Sequence, residues 1–552
     1  MGKNICERYK VKPQLICNLS IRFVVTVAVS GLLLGAVAFL SANKEILGLF
    51  HDDGIYAVVG QAVAQGHGYR IVSLPTAPPQ TKYPFVYSSL IASLWLLSPS
   101  FPYNIGLLKS LNVVILVVTF FVAVVFYRRD SGGGEIAAWL FAVLVCTNPI
   151  IFGFTDFILS DLLLVLLALS ALTFCRAASA DNVSFGRLFW LAAMAGFAWL
   201  TRTAALPLVF AGAVHSYFFR GWRGGRWFIA AVLVLVSPWV FWLTFQSQQS
   251  IGSLFAYYSG YDAAGAQASD LTEFLSQRLS IISGNVRYLA GSFDLLFLTP
   301  LLPGSGFIIA IFSAIGIAVS ARRGEVFVWS FFLTSLGLTL VWPFHPVRYL
   351  APLVPLLVLY LFRGMRWTCA WLDDALAGRA TWQWLAKLSW SPAIIILLLN
   401  GVWLSSYLFI HDNQTTRSLY GRRLPFGWGG FEETFAWIRS HAPRDAVLAT
   451  AYDPMYYLYT GRQAVRPALH RPATYFYPYG QAKPDVGTVD EIKPQLMKLR
   501  VDYLIIDPLD GYAERQASIK LFEEIVASFG NQAEKVFTSG DGKHQIYRIG
   551  SN

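Results

Sequence analysis

The chain has 552 residues, of which 55% are hydrophobic and only 14% charged, against about 25% charged in soluble domains. So little polar surface cannot cover that much apolar side chain in water, which excludes an ordinary soluble protein. The net charge of +11 does not imply a nucleic-acid partner, because no basic run is interleaved with stacking aromatics on a soluble module.

The basic residues stand instead in short clusters between apolar runs: Arg128–Arg129, Arg220/Arg223/Arg226, Arg322–Arg323 and Arg363/Arg366. Short basic loops resist translocation, so this is the positive-inside pattern of a polytopic membrane protein. The five cysteines show no metal or redox spacing, and none follows Cys369.

A helix needs about 20 apolar residues to cross the hydrocarbon layer. Such runs occur near 21–42, 104–127, 134–152, 158–176, 187–201, 203–219, 227–245, 304–320, 325–341, 348–362 and 391–410, giving about eleven spans. The first has a basic flank (Lys3, Arg8, Lys10, Lys12, Arg22) but an apolar core longer than a signal peptide's, and reads as an uncleaved span. Residues 43–103 form a large polar loop, closed by FVYSSLIASLWLLS at 85–98, too short to span and expected to be an interfacial helix. Residues 366–389 are amphipathic and Trp-rich, and read as an in-plane helix.

With the N-terminus inside, the arginine clusters at 128–129, 176–187, 220–226, 322–323 and 363–366 all fall on the cytoplasmic side. The segments 43–103, 153–157, 246–303 and 342–347 and everything after about 411 then fall outside. Residues 411–552 change character. EETFAWIRSH reads as an amphipathic helix, AVLAT as a strand and PMYYLYTG as a helical turn. Helices around 488–500 and 513–528, the strand VDYLIID and strands near 535–538 and 544–548 follow, as expected of a small α/β domain. The fold class is therefore a polytopic α-helical membrane domain, 1–410, with a soluble extracytoplasmic α/β domain, 411–552.

On the outer side of this topology lie Asp52 and Asp53, Lys82, Asp156 and Asp161, Arg202 and Arg348. Ionisable residues in or beside spans are costly, which makes each a candidate for function. An acid at a helix start also caps it, and an arginine at a span end also reaches for the interface. Asp373–Asp374 is a second acidic pair, but on the inner side, and is assigned no chemistry.

The string HDDGIYAVVGQAVAQGHGYR followed by TKYPFVYSSLIASL resembles the first external loop of the GT-C membrane glycosyltransferases, in the branch of protein O-mannosyltransferases and lipid A aminoarabinose transferase. FILSDLLLVLLAL, GFAWLTRTAALPL and RYLAPLVP, with an external domain after the last span, are similar too. The family's acidic motif is often Asp-Glu, whereas this chain has Asp52–Asp53. Asp53, nearer a helix starting at about Ile55, is favoured as the catalytic residue, with Asp52 second.

The resemblance implies that a sugar on a polyprenyl phosphate is attacked at its anomeric carbon by an acceptor hydroxyl, with inversion. An aspartate would take the hydroxyl proton. Arg348 and Lys82 would hold the departing phosphate, and Asp161 would orient hydroxyls. Arg202 is a further candidate, and Tyr56, Tyr83 and Tyr349 offer faces for a sugar ring. No cofactor is assigned. Two carboxylates could hold a divalent metal, with His51, His67 and His345 on the same side, but no zinc spacing is present.

The implied partners are a polyprenyl-phosphate-linked sugar donor, a lipid, glycan or protein acceptor, and membrane lipids. The expected location is a bacterial inner membrane. A transporter or flippase of lipid-linked sugars, or a non-catalytic glycolipid-binding envelope protein, are the alternatives; charges gathered at one face, with no visible internal repeat, favour an enzyme.

Overall fold

A computed structural model describes residues 20–131, 134–176, 184–246, 253–255, 258, 271–298, 301–302, 304–342, 346–375, 390–409, 428–469, 487–508 and 513–550. The first span is helix α1 (Ile21–Ser41), capped by the Ser20 hydroxyl, which accepts from the Phe23 amide. The loop after it carries α2 (His51–Ala64) and α3 (Phe85–Leu97), the latter where the short apolar segment was expected.

The membrane part continues with α4 (Ile105–Ser131), α5 (Glu135–Cys146), α6 (Pro149–Gly153), α7 (Asp161–Arg176) and α8 (Phe185–Thr201). Helices α5 and α6 are one run, bent at Thr147–Asn148. The break is local, because Pro149 brings no amide and the Asn148 side chain caps the new helix through the Ile150 amide.

Helix α9 (Leu206–Gln246) is too long for one span and is in fact two. Gly221 (φ 61°, ψ −160°) adopts a conformation closed to side-chain-bearing residues, and the chain doubles back there. Phe228 of the second arm lies against Gly212 of the first.

There follow α10 (Leu271–Phe297), α11 (Ser305–Ala321), α12 (Val326–Val341), α13 (Val347–Leu350), α14 (Val354–Ala375) and α15 (Ser391–Phe409). Each apolar run read from the sequence is helical. Among the described residues four helices are long and apolar enough to cross a membrane, with the doubled-back α9 counted once, or five with the bent pair counted as one span.

One helix is absent from the sequence reading, and one expectation is corrected. The segment 246–303 contains the 27-residue amphipathic helix α10, whose apolar stripe is interrupted by polar residues and so lacks the uniform hydropathy of a span. Helix α14 runs unbroken through Asp374, so no in-plane helix begins at 366; residues 376–389 lie outside the described residues.

Helices α11 and α14 cross at nearly zero side-chain separation. A Cβ on Gly316 would collide with the Tyr360 carbonyl, and one on Gly364 with the Phe312 carbonyl. Small residues of this kind let backbones meet in a membrane. Near the middle of the same helix, Arg363 is buried and bonds Asp130 of α4, Ser320 of α11 and Glu325. The basic loops at 128–129 and 322–323 therefore gather at one end of the bundle. Arg348 lies away from this end, since the stretch of α14 from Val354 to Arg363 alone is about 14 Å long.

The C-terminal unit comprises α16 (Trp428–His441), β1 (Val447–Ala449), α17 (Asp453–Thr460), β2 (Ala464–Val465), α18 (Val489–Lys498), β3 (Val501–Ile506), α19 (Ala513–Phe529), β4 (Ala533–Thr538) and β5 (Gln545–Ile549). The sheet order is β2-β1-β3-β5-β4, with β1 parallel to β2 and β3, and β5 antiparallel to β3 and β4. A Thr488–Glu491 capping box starts α18, and the buried end of β3 forms the middle of the core. The two-residue β2 is absent from the sequence reading. The aromatic run Tyr475–Tyr479 lies outside the described residues.

Candidate active site

Four elements converge at one end of the bundle, away from Arg363. Helix α2 supplies Asp52, the turn before α3 supplies Lys82 and Tyr83, α7 opens with Asp161, and α13 carries Arg348. The Arg348 guanidinium bridges two acids: Nη1 donates to Asp52 Oδ2 at 2.8 Å, and Nη2 to Asp161 Oδ2 at 2.9 Å. Arg202 donates to the same Asp161 oxygen from 3.0 Å. The Tyr83 hydroxyl donates to Asp52 Oδ1 at 2.7 Å. A planar fork between two carboxylates is a geometry that arginine can hold and lysine cannot.

The turn carrying Lys82 is built from the backbone. The Gln80 side-chain oxygen accepts from the Lys82 and Tyr83 amides, and the Gln80 carbonyl accepts from the Trp242 indole. Pro84 then fixes the entry to α3.

Asp52 and Asp53 part company at this point. Helix α2 starts at His51 rather than near Ile55, so both acids sit in its first turn, on different faces. Asp53 is 3% exposed, and its Oδ1 accepts from the Gly48 amide at 3.0 Å. Burial, with the Asp52 charge adding to it, pushes the Asp53 carboxyl up to about 8 against the pull of Lys109 and the Gly48 and Gly54 amides. For Asp52 burial also pushes upward, but the Arg348 and Lys82 charges and the hydrogen bonds from Arg348 and Tyr83 win. They hold it well below the usual carboxylate range. Asp52 faces Arg348, and Asp53 is a buried helix-start acid.

Lys82 is buried and desolvation lowers it to about 8, although the Asp52 carboxylate opposes this; Arg348, Arg202 and Arg466 push further down. Three basic side chains, Lys82, Arg202 and Arg348, thus gather around Asp52 and Asp161.

Two narrow clefts share a wall here, each with room for about one water molecule. One is lined by Asp161, Arg202, Arg348, Tyr349 and an apolar wall including Phe331 and Leu338. The other is lined by Lys82, Tyr83, Arg202, Trp342 and Tyr349. Tyr349 lines both and sits 5.5 Å from the Arg202 guanidinium. Cations on one wall and apolar side chains on the other suit a ligand with an anionic head and a hydrocarbon tail.

Tyr56 has no free face for a sugar. It is 1% exposed, stacks on Tyr83 at 4.8 Å, and hydrogen-bonds Ser160 at 2.7 Å, next to Asp161. Asp156 is drawn away from the cluster, accepting from the Asn43 amide at 2.7 Å and pairing with Lys109 at 3.4 Å. Lys109 is absent from the sequence reading, yet a lone lysine inside an apolar run was a signal of a buried partner.

Among the described residues no three His, Cys, Asp or Glu side chains converge as a metal set. Asp52 and Asp161 each give an oxygen to Arg348 instead, and His345 lies outside the described residues.

The apolar helices are those of an integral membrane protein, and the fold is similar to that of solved GT-C structures. No protein-family model matches the sequence, and no curated protein matches it, but solved structures do. ArnT from Cupriavidus metallidurans, bound to undecaprenyl phosphate, is similar over 96% of this chain and 98% of its own, at 14% identity and a TM-score of 0.55. The Archaeoglobus fulgidus oligosaccharyltransferase in complex with Zn and sulfate is similar over 94% of this chain and 73% of its own (12% identity, TM-score 0.53). The mycobacterial arabinofuranosyltransferase AftD matches 97% of this chain with 40% of its own (15% identity, TM-score 0.52).

Proposed function

We propose that this chain is a membrane glycosyltransferase that moves a sugar from a polyprenyl-phosphate donor to an acceptor hydroxyl on the extracytoplasmic side. The observation that carries the reading is the Arg348 fork, held between Asp52 and Asp161 beside Lys82 at the mouth of a half-apolar cleft. Undecaprenyl phosphate bound to ArnT, which shares the fold, supports a donor of this kind.

In this reading Asp52 is the base. The acceptor oxygen forms a bond to the anomeric carbon while its proton passes to Asp52. The bond from that carbon to the phosphate oxygen breaks, and its electron pair leaves with the lipid phosphate. Attack opposite the leaving group inverts the centre.

Arg348 and Lys82 meet the growing phosphate charge, which is where fixed cations lower a barrier most. The same arginine explains how a strongly paired carboxylate can act as a base. A donor phosphate competes for the Arg348 fork, and Asp52 regains proton affinity as its counter-ion is shared. Asp161, held by Arg202, orients sugar or acceptor hydroxyls, and Tyr349 lines the sugar side. The chemistry belongs to residues 1–410, with the C-terminal unit, 411–552, on the same outer side of a bacterial inner membrane.

The test is mass spectrometry of envelope glycolipids and glycans from cells with and without the gene, and with the Asp52→Asn gene returned. One product is expected to vanish on deletion and to stay absent with Asp52→Asn. Full restoration by Asp52→Asn ends the proposal that Asp52 is the base. An unchanged profile on deletion ends the transferase reading.

A further inference from the structure

The C-terminal unit reaches back to the acidic motif through the start of α17. Asp453 Oδ1 lies 2.9 Å from His51 Nε2, and His51 immediately precedes Asp52. Asp453 is wholly buried, and its Oδ2 has no hydrogen-bond donor among the described residues. A buried carboxylate with one oxygen committed to a single imidazole is costly to keep for packing alone. Tyr258 also packs on that imidazole, ring centres 5.5 Å apart, with its hydroxyl 3.5 Å from the same Nε2.

The two residues after Asp453 touch the first turn of α2 and the loop before it. A Cβ on Gly54 would lie 2.8 Å from the Pro454 Cβ, and one on Gly48 2.8 Å from the Met455 Cβ. Gly48 (φ 90°) is also the residue whose amide holds Asp53. Residues 48, 51 and 54 thus meet α17, and Asp52 is left to face Arg348. Elsewhere the docking is of another kind: Gln463 bonds the Val72 and Leu74 carbonyls, and the Ala464 amide bonds the Ser73 carbonyl.

We infer that Asp453 is a positioning residue for the transfer reaction: through His51 it fixes the rotation of the first turn of α2, and so the direction of the Asp52 carboxyl. This rests on the reading of Asp52 as base. It gives the C-terminal unit a share in the site without contact with the reacting atoms. A misplacement of about 1 Å at a reacting group costs on the order of 10²-fold in rate, so a small rotation of this turn is enough to matter.

The test uses the full-length protein in detergent or nanodiscs, with release of polyprenyl phosphate from lipid-linked sugar as the assay. Asp453→Ala is expected to lower kcat by about 10- to 100-fold while the donor KM changes little. Asp453→Asn keeps an oxygen that accepts from His51 and is expected to restore most of the rate. His51→Ala is expected to match Asp453→Ala, and the double variant to be no slower than the slower single one. Gln463→Ala, which loosens docking away from the motif, is expected to leave kcat unchanged.

Hydrogen exchange of the amides at 48–56, read without any substrate, is expected to quicken in Asp453→Ala and not in Gln463→Ala. Unchanged exchange there, an unchanged kcat in Asp453→Ala, or additive losses in the double variant would each overturn the inference. Absence of transfer by the wild-type protein would instead overturn the transferase reading, while the exchange experiment still decides whether Asp453 holds α2.

Discussion

Asp52 and Asp53 are neighbours in the chain and strangers in the fold: one carboxylate is held by Arg348 and Tyr83 in the cleft, the other by the Gly48 amide in the packed interior. Their isosteric neutral variants are therefore expected to diverge. Asp52→Asn should lose about 10²–10⁴-fold in rate, the range that a general base contributes. Asp53→Asn, which replaces a group already neutral at pH 7, should keep most of its activity. Polyprenyl phosphate release by the two purified variants decides the matter; equal losses would return Asp53 to candidacy.

Asp53 also gives the protein a pH-dependent stability of unusual sign. Its carboxyl holds a proton in the folded state up to about 8 but releases it near 3.8 when exposed. Between these values the folded state binds more protons than the unfolded one, so stability falls as pH rises, by about 1.4 kcal/mol per pH unit from this group. Thermal melting in detergent should show a drop in Tm from pH 6 to pH 8 that is smaller in Asp53→Asn. Parallel curves for the two proteins would refute the assignment.

Lys82 sets a limit on the alkaline side. Its cation is present below about 8 and lost above, so donor KM should rise as pH climbs through that value. Lys82→Arg keeps its charge throughout and should push the rise to higher pH. A wild-type KM that stays flat from pH 7 to pH 9 would rule out a phosphate role for this lysine.

Arg348→Lys preserves charge but not the fork. It should raise donor KM by about 10- to 100-fold, given that one charge-assisted hydrogen bond contributes about 1.5–3 kcal/mol. Arg348→Ala leaves two carboxylates without their shared cation, and breaking a buried pair in this way costs about 3–5 kcal/mol. That variant should show a lowered Tm as well as lost activity.

The Gly316–Gly364 crossing offers a purely structural test. Gly316→Ala forces α11 and α14 apart, an overpacking that costs about 1–3 kcal/mol, and should lower Tm. Gly337→Ala in α12, where a Cβ meets nothing within 4 Å, should be neutral or mildly stabilising. Equal Tm values for these two variants would refute the tight crossing.

How much of this was legible in the sequence follows from the range of each cause. The spans are legible because twenty apolar residues in a row have few other uses in a chain this hydrophobic. Asp161, Lys82, Arg202 and Arg348 stand out because charge beside apolar sequence is costly, and all four meet in the clefts. The choice between Asp52 and Asp53 is not legible. Successive helical residues point about 100° apart, and the phase of α2 is set where it begins and what it leans on. Pro454 and Met455, some 400 positions away, are part of that answer. The role of Tyr56 is hidden for the same reason: a tyrosine is amphipathic, and only packing tells whether its ring faces a ligand or a neighbour. Helix α10 escapes because its apolar residues form a stripe rather than a block.

The meeting of α17 with the acidic loop has a consequence for biogenesis. The Tyr459 hydroxyl, bonded to the Glu45 carbonyl and near the Leu47 amide, and the Ala464 amide at Ser73 join segments that leave the ribosome far apart in time. Spans can insert one after another as they emerge, but the turn bearing Asp52 cannot take its final form until residues beyond 460 have been made and folded against it. A nascent chain is therefore embedded but unfinished, and a premature stop late in the message removes residues that shape a turn encoded near its beginning.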